Sequence, residues 1–353
     1  MSNVVFHGKE CLPYDLQNGN SKREEYIKGI CDFIESERIA AKNVRDEWAS
    51  PEKMAKNREF YREKFLSMIG SPEFPKARPR AKKEKIGEDA FGTMYSMQIE
   101  VLPNLWFYGI LSLPFANGKL PFVIAQHGGS GTPEICSDMC KDANYSNFTK
   151  RALEEGFAVF APSLALWSCD EAKKEYRFVD VKFDRADLDK KLKQLGLSIT
   201  GLEVFFLRRV LDYFCTEDYI DTEKIGMMGV SYGGYFSLHT AAADTRIKAI
   251  YAAAFFNDRD KELFSDWGYF GAEKQFFDAE VAGLCAPRKV FLDVGKNDRV
   301  FDYHGAVTEE KRARAFYSAA GVPENLSFHL FDGGHSFGGN DERFSEFFRT
   351  IKE

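Results

Sequence analysis

The chain has 353 residues, of which 44% are hydrophobic and 29% charged, and its formal net charge is −6. A chain of this length and composition can bury a large core, so we expect a globular protein built from one domain and an extension. Both signs of charge are spread along the chain, which excludes the basic face that nucleic acid or an anionic membrane would require.

The N-terminal stretch MSNVVFHGKECLPYDLQNG has no basic segment followed by an apolar run, and no later segment stays apolar long enough to span a bilayer. These features predict a cytoplasmic protein. The seven cysteines are scattered along the chain, which fits reduced thiols better than a disulfide framework. Cys136 and Cys140 lie four residues apart, which disfavours a zinc or redox site of the Cys-x-x-Cys kind.

The first predicted elements are helices in residues 21–69, where apolar residues recur at intervals of three and four. This pattern predicts an amphipathic helical extension that is interrupted at Pro51. Its apolar residues are Ile27, Ile30, Phe33, Ile34, Phe60, Phe65 and Met68. The proline-rich, basic stretch SPEFPKARPRAKKEK indicates a surface linker or a loop pinned to the body. We therefore assign residues 1–89 to the extension and linker, and residues 90–353 to the main domain.

The main domain begins with two strand-like segments, GTMYSMQIEVL and LWFYGILSLPF, which flank the turn PN and predict a hairpin. Six further strand-like runs alternate with helical stretches up to a closing helix at 341–352. These runs are LPFVIAQ, FAVFAPSLAL, KIGMMGV, IKAIYAAAF, RKVFLDVG and LSFHLF. The alternation predicts an α/β fold with a mostly parallel, eight-stranded sheet and helices on both faces.

In an open parallel sheet, ligands bind at the loops beyond the carboxyl ends of the strands. One of these loops carries GMMGVSYGGY, which places Ser231 between Gly229 and Gly233 directly after a strand-like run. Gly-x-Ser-x-Gly between a strand and a helix is typical of a sharp turn that exposes a nucleophilic serine. A serine hydroxyl is a weak nucleophile at neutral pH, so this interpretation requires a base and an orienting acid.

Of the six histidines, His335 is the best candidate for the base, because it lies among glycines in the loop FDGGHSFGG after the last strand-like run. The other five are placed less well for this role. His7 is in the irregular start, His239 is about 12 Å along the helix from the serine, His329 is inside a strand, His304 is a polar loop residue, and His127 ends a strand.

Asp298 is the best candidate for the acid, because the loop KNDRV places it just past a strand end, where its carboxylate can orient the imidazole. Asp293 lies within the strand and is the weaker choice. Asp258 and Asp260, in FFNDRDK after the preceding strand, remain an alternative, since some enzymes of this architecture carry the acid there. The chain order is then serine, aspartate, histidine, each after a successive strand.

The loop QHGGSG, residues 126–131, offers small residues whose backbone N–H groups can point into the cleft. The N–H groups of Gly128, Gly129 and Tyr232 would stabilise the negative oxygen of a tetrahedral intermediate, an effect worth roughly 3 kcal/mol per donor. Beside the other three loops, a glycine-rich loop without a catalytic role is the less favoured interpretation.

These four loops together resemble the α/β-hydrolase superfamily: QHGG, GVSYGG, VGKNDRV and GGHSF are similar to its oxyanion loop, nucleophile elbow, acid loop and histidine loop. The resemblance covers about residues 90–353. Within the superfamily, GLSITGLEVFFLRRVLDYF and FDAEVAGLCAPRKVFLDVG are most similar to the dienelactone hydrolase and acetyl xylan esterase branches. The resemblance implies the α/β-hydrolase fold and ester hydrolysis through a serine acyl-enzyme, with no metal and no organic cofactor.

Two insertions, LALWSCDEAKKEYRF and FFNDRDKELFSDWGYF, should build the substrate pocket over the catalytic edge. We expect substrate contacts from His127, Trp167, Arg259 and Trp267, with Tyr269 and Phe270 adding to an apolar wall or a sugar-stacking platform. Lid packing for the aromatic residues, and a structural ion pair for the arginine, are the favoured alternatives.

The leading hypothesis is a carboxylesterase for a small-molecule ester with a short acyl group, of which an acetylated carbohydrate is one candidate. A serine peptidase of the same fold is the first alternative, although such enzymes usually carry a large additional domain. A non-catalytic binding protein on the same scaffold is the second, and acyl transfer to an acceptor other than water also stays open. The helical extension needs an apolar partner, which is its own body or, in a homodimer, a second subunit; we favour the body.

Overall fold

A computed structural model describes residues 5–6, 9–10, 16–73, 77–129, 131–139, 145–165, 185–259, 264–339 and 341–353. The strands are β1 (Val5–Phe6), β2 (Lys9–Glu10), β3 (Ala81–Glu88), β4 (Gly92–Leu102), β5 (Leu105–Pro114), β6 (Leu120–Gln126), β7 (Ala158–Pro162), β8 (Ile220–Val230), β9 (Ala249–Ala253), β10 (Lys289–Gly295) and β11 (Leu326–Phe331). The α-helices are α1 (Leu16–Trp48), α2 (Pro51–Lys56), α3 (Arg58–Met68), α4 (Pro133–Cys136), α5 (Phe148–Glu154), α6 (Arg185–Gln194), α7 (Ile199–Phe214), α8 (Tyr232–Ala243), α9 (Asp278–Cys285), α10 (Tyr303–Ala319) and α11 (Asp341–Lys352). Among the described helices, none has the length and apolar character needed to cross a lipid bilayer.

The main sheet contains nine strands within the described residues, in the order β11-β10-β9-β8-β6-β7-β5-β4-β3. The pairs from β11 to β7 are parallel, and the pairs from β7 to β3 are antiparallel. The predicted α/β class, with its mostly parallel sheet and its N-terminal helices, is therefore confirmed. The sheet has one strand more than the eight expected from the sequence.

The additional strand is β3, which pairs antiparallel with β4 at the edge of the sheet. The linker prediction is wrong for this part of SPEFPKARPRAKKEK, because its charged residues form a strand. The side chains of Lys82 and Lys83 are exposed and lie over the rings of Trp106 and Tyr95, at 4.0 and 4.8 Å from the ring centres. Lysines on an edge strand prevent further strands from pairing with it, so the charge that resembles a linker protects a sheet edge.

Helices cover both faces of the sheet, and each central strand supplies side chains to two cores. In β8, Met227 joins the core beneath α7, α8 and α9, whereas Met228 joins the core beneath α5 and α11. Successive residues of a strand point to opposite faces, so a strand buried on both sides must be apolar at every position. This explains why KIGMMGV and IKAIYAAAF contain almost no polar residues.

The second half of the helical extension packs on the body of the chain. Phe65 of α3 and Met54 of α2 are fully buried in the core that contains α8. The guanidinium of Arg62 donates a hydrogen bond to the carbonyl of Ala242, in the last turn of α8, where a cation is stabilised by the helix dipole. Arg45 of α1 donates to the Glu273 carbonyl at 2.7 Å.

The first half of α1 has a different environment. Residues 20–37 are all exposed, over a length of about 27 Å at 1.5 Å per residue. Several of these residues are large and apolar, including Tyr26 and Phe33. The helices of the extension therefore comprise a packed part, from Arg38 to Met68, and a projecting part, residues 20–37.

Phe65→Ala tests whether the packed part of the extension is integral to the fold. We expect it to lower the free energy of unfolding by about 3–5 kcal/mol, because it removes a fully buried aromatic ring and leaves a cavity. Phe60→Ala, on the same helix but with 39% of the side chain exposed, is the matched control and should cost about 0.5 kcal/mol. Urea unfolding of the three proteins measures both values; equal, small losses would show that α3 does not contribute to the core.

Candidate active site

The turn between β8 and α8 holds Ser231 in a strained backbone conformation. Its φ is 58° and its ψ is −123°, which a residue with a side chain rarely adopts. The Ser231 N–H donates to the carbonyl of Ala253 on β9 at 2.8 Å, and its carbonyl accepts from the Tyr235 N–H at 2.9 Å. Such strain persists only where the surroundings fix it, and it concentrates at functional sites.

The flanking glycines are required by close backbone contacts. A Cβ on Gly229 would lie 2.4 Å from the carbonyl carbon of Gly233, and a Cβ on Gly233 would lie 2.1 Å from the Gln126 oxygen. Neither neighbour is a flexible side chain that could move away. The Gly-x-Ser-x-Gly pattern thus reflects the packing of β8, α8 and the end of β6 against one another.

Asp298 and His335 form a hydrogen-bonded pair at the carboxyl edge of the sheet. The Nδ1 of His335 lies 2.8 Å from Oδ2 of Asp298, whose side chain is only 2% exposed, against 26% for the histidine. The other carboxylate oxygen, Oδ1, accepts from the backbone N–H groups of Val300 and Phe301 at 2.8 and 3.2 Å. Because an ionised carboxylate only accepts, Nδ1 of the histidine is the donor in this contact.

Backbone contacts join the loops that carry these two residues. The Asn297 N–H donates to the Gly333 carbonyl at 2.8 Å, and the Lys296 N–H donates to the Phe331 carbonyl at 2.9 Å. A Cβ on Gly295 would lie 2.3 Å from the Gly334 oxygen. These contacts hold the loop of Asp298 and the loop of His335 against each other.

The other candidate acids have other environments. Asp293 is buried within β10 and binds the Tyr251 hydroxyl, the Gly338 N–H and the Arg343 guanidinium at 2.7–2.9 Å. Asp258 lies after β9, and Asp260 is outside the described residues. Within the described residues, Asp298 is the candidate acid for which a contact with His335 is observed.

The glycine-rich loop lies directly against Ser231. A Cβ on Gly128 would lie 3.0 Å from the Val230 oxygen, 3.2 Å from the Ser231 Cβ and 3.4 Å from the Tyr145 hydroxyl. The Gly128 N–H donates to this hydroxyl at 2.9 Å. Gly129 is part of the same turn, whereas Ser130 is outside the described residues. The loop therefore lies beside the serine, and the N–H of Gly128 is bonded to a tyrosine that sequence reasoning missed.

His127 fixes the position of this loop. Its Nδ1 donates to the Gly128 carbonyl at 2.7 Å, and its Nε2 accepts from the Leu164 N–H at 3.0 Å. Burial lowers the pKa of His127 to about 4, so the ring stays neutral. Because both nitrogens bind backbone groups and the ring is buried, these contacts favour a structural role over the predicted contact with substrate.

Trp267 is buried in a stack of aromatic rings that reaches the histidine. Its ring is parallel to that of Tyr235 at 4.2 Å and to that of Phe301 at 5.8 Å between centres. Phe301 in turn stacks on His335 at 5.7 Å. Lid packing, the favoured alternative for this residue, describes its environment, and the stack also supports the imidazole.

Behind this stack lies a cavity of about 260 Å³ that is lined by Tyr235, Arg259, Trp267 and Tyr269, with Met68 contributed by α3. The guanidinium of Arg259 forms a two-point ion pair with Asp278, at 2.7 and 2.5 Å. Burial raises the pKa of Asp278 to about 6, although the arginine acts in the opposite direction. The structural ion pair is thus the arrangement observed for Arg259.

Two further residues, Trp167 and Phe270, are expected from the sequence to contribute to the substrate pocket. Trp167 is outside the described residues, as is most of the insertion that carries it. Phe270 is fully exposed, so it does not form a wall of this cavity.

The side chain of Tyr232, the residue after Ser231, belongs to a buried ionic network. Its hydroxyl donates to Asp266 at 3.1 Å, and Asp266 also binds the Nε of Arg185 at 2.6 Å. The same guanidinium binds Glu203 of α7 at 2.7 Å. This network connects α6, α7 and the turn at Asp266 to the start of α8. Neither it nor Tyr145 forms a recognisable sequence motif, so no sequence signal indicated them.

Part of the chain matches a known protein family. Residues 207–279, from within α7 through Ser231 to the start of α9, match the Prolyl oligopeptidase family. A protein of Bacillus subtilis (strain 168), YtaP, whose name describes it as a hydrolase, is 24% identical over 219 residues. The match covers 59% of this chain and 70% of that protein.

Several solved structures share the fold over most of their length. A Bacteroides fragilis NCTC 9343 protein assigned as an acetyl xylan esterase is 18% identical, with a TM-score of 0.64 over 89% of this chain and 88% of that one. A glucuronoyl esterase from Solibacter usitatus is 14% identical, with a TM-score of 0.60 over 83% and 92%. Acetyl xylan esterase 1 from Thermoanaerobacterium sp. JW/SL YS485 is 15% identical, with a TM-score of 0.54 over 84% and 94%. The chain therefore has the α/β-hydrolase fold, and the resemblance drawn from its four loops is confirmed at the level of that fold.

Proposed function

We propose that the protein is a serine hydrolase that cleaves carboxylic esters, with Ser231 as the nucleophile, His335 as the base and Asp298 as the acid that orients it. The observation that carries this proposal is the 2.8 Å contact between His335 and the buried Asp298, on loops after β11 and β10. The strained serine follows β8 at the same edge of the parallel sheet.

The contacts of the pair support one direction of proton transfer in the proposed reaction. Asp298 holds the proton of His335 on Nδ1, so Nε2 is the basic nitrogen that accepts the proton of Ser231. The serine oxygen attacks the ester carbonyl, and the protonated histidine then gives its proton to the leaving alcohol. A water molecule activated by the same nitrogen hydrolyses the acyl-enzyme.

The oxyanion would be stabilised by backbone N–H groups on both sides of the serine. The Tyr232 N–H, at the start of α8, is one proposed donor, and the Gly129 N–H is the second. The Gly128 N–H becomes a donor only when the Tyr145 hydroxyl, which it binds in the free protein, is displaced. The ionic network at the Tyr232 side chain would keep the first donor in place.

Esters are favoured over other substrates by two lines of support. The fold neighbours include acetyl xylan esterases and a glucuronoyl esterase, which act on esters of carbohydrates according to their names. The second is that the aromatic ring of Phe301 stacks on the proposed catalytic histidine, and Trp267 stacks on Phe301. We propose a short acyl group, with an acetylated carbohydrate as the substrate class to test first.

A serine peptidase is the second candidate, and the match to the Prolyl oligopeptidase family over residues 207–279 favours it. This span contains the serine turn, which different hydrolases of one fold can share, so the substrate has to be decided by experiment. Peptide and ester substrates with the same chromophore distinguish the two candidates directly.

Ser231→Ala should abolish hydrolysis of p-nitrophenyl esters from acetate to octanoate, because it removes the nucleophile. Rates would be measured for the wild type and the variant, with circular dichroism as a control for the fold, and with peptide p-nitroanilides beside the esters. The profile over chain length gives the size of the acyl pocket. Equal rates in both proteins would contradict the assignment of Ser231, and cleavage of the peptides alone would favour the peptidase.

Asp298→Asn should lower kcat on the best ester by about 10⁴-fold and leave stability nearly unchanged, because the imidazole loses the partner that fixes its tautomer. Asp258→Asn is the matched control for the alternative acid position and should keep wild-type kcat. Loss of activity in the control, with normal activity in Asp298→Asn, would move the acid to the loop after β9.

Gly128→Ala should lower kcat at least tenfold, since the added methyl group stands 3.0–3.4 Å from the Val230 oxygen, the Ser231 Cβ and the Tyr145 hydroxyl and must displace the loop. In Gly87→Ala, the new methyl group on the edge strand meets a Met94 side-chain carbon at an ordinary 3.5 Å. Steady-state kinetics of both variants provide the comparison. An unchanged kcat in Gly128→Ala would exclude this loop from the oxyanion site.

A further inference from the structure

The projecting half of α1 presents an apolar stripe to solvent. Tyr26, Ile27, Ile30, Phe33 and Ile34 are 41–71% exposed. Residues three and four apart share one face of a helix, so these side chains form one continuous stripe. A contiguous apolar patch exposed to solvent marks an interaction site, which indicates that the stripe is covered in the working protein.

The stripe is symmetric about its central residue. Ile30 has Ile27 and Tyr26 three and four residues before it, and Phe33 and Ile34 three and four residues after it. When two such helices run antiparallel with their Ile30 residues opposite each other, Ile27 of one meets Phe33 of the other, and Tyr26 meets Ile34. An interface related by a two-fold axis requires this kind of self-complementary surface.

The charges at the ends of the stripe favour the same arrangement. Arg23 lies seven residues before Ile30 and Glu37 lies seven residues after it, which is two helical turns and therefore the same face. Both side chains are exposed. In the antiparallel pair Arg23 of each copy faces Glu37 of the other, whereas a parallel pair in register would bring like charges together.

The opposite face of this segment disfavours a lipid surface as the partner. It carries Glu24, Glu25, Asp32 and Glu35, of which Asp32 is paired with Lys28 at 2.8 Å. Helices that lie on anionic membranes have lysine and arginine on their polar face instead. The same segment of a second copy of the chain would bury the apolar stripe and pair the charges at its ends.

We propose that residues 20–37 of α1 pair with the same segment of a second copy, as antiparallel helices with Ile30 at the two-fold axis. The packed part of the extension, held to the body through Arg45 and Phe65, supports the projecting segment at its base. This inference does not rest on the proposed catalytic function, since the segment is separate from the residues of the candidate site.

Sedimentation equilibrium of the full-length protein between 1 and 100 μM tests the pairing. The wild type should be a dimer, and Ile30→Asp combined with Phe33→Asp should be a monomer with an unchanged circular dichroism spectrum of the body. Ile39→Asp is the matched control, because Ile39 is 61% exposed but lies on the opposite face of the helix; this variant should remain a dimer.

Charge reversal tests the antiparallel register. Arg23→Glu and Glu37→Arg should each raise the dimer Kd at least fivefold, because each brings two like charges together, and the double variant should return Kd to within about twofold of the wild type. A monomeric wild type at 100 μM, a dimer that survives the double aspartate change, or no recovery in the charge-swapped variant would overturn the proposal. Binding of a monomeric wild type to phosphatidylglycerol vesicles would overturn it in favour of lipid.

Discussion

The close approach of three backbone segments at Ser231 is the constraint on which the rest of the site depends. The end of β6, the end of β8 and the first turn of α8 meet there with no room for a Cβ at Gly229 or Gly233. Holding a serine at positive φ costs on the order of 1–3 kcal/mol, which the packing of the surrounding elements must offset. All twelve residues of α8 are buried, so this helix cannot move to relieve the strain.

The opposite end of α8 is fixed by cations. Arg288 donates to the carbonyls of Ala241, Asp244 and Ile247, and Arg62 donates to that of Ala242. The carbonyls of Ala241 and Ala242 are among those that a helix leaves without partners in its last turn, and the two arginines satisfy them. The helix that positions the serine is thus held at its start by the strained turn and at its end by arginines from two distant parts of the chain.

The strands, and the loops that carry Ser231, Asp298 and His335, were more predictable from the sequence than the residues that surround them. Gly229 and Gly233 flank the Ser231 turn because a Cβ does not fit at either position, so these close contacts are visible in the sequence as a motif. The buried strands can also be predicted from the sequence, because both of their faces must be apolar. In contrast, β3 was missed, since an exposed edge strand rich in lysine has the composition of a linker. Tyr145 and the Arg185 network were missed because contacts between residues far apart in the chain follow no local pattern.

The pairing of Arg62 with the end of α8 has a consequence for how the protein is organised. The N-terminal extension looks like an appendage in the sequence, but it supplies a cap to the helix that begins at the serine and places Phe65 in the same core. If residues 51–69 were lost, the carbonyl of Ala242 would stay buried without its hydrogen-bond donor, and a cavity would form beside α8. Both changes would destabilise the helix that begins at the serine turn. The packed part of the extension therefore shares one core with the central sheet, and a change on the buried face of α3 acts directly on α8, the helix of about 18 Å that begins at the serine.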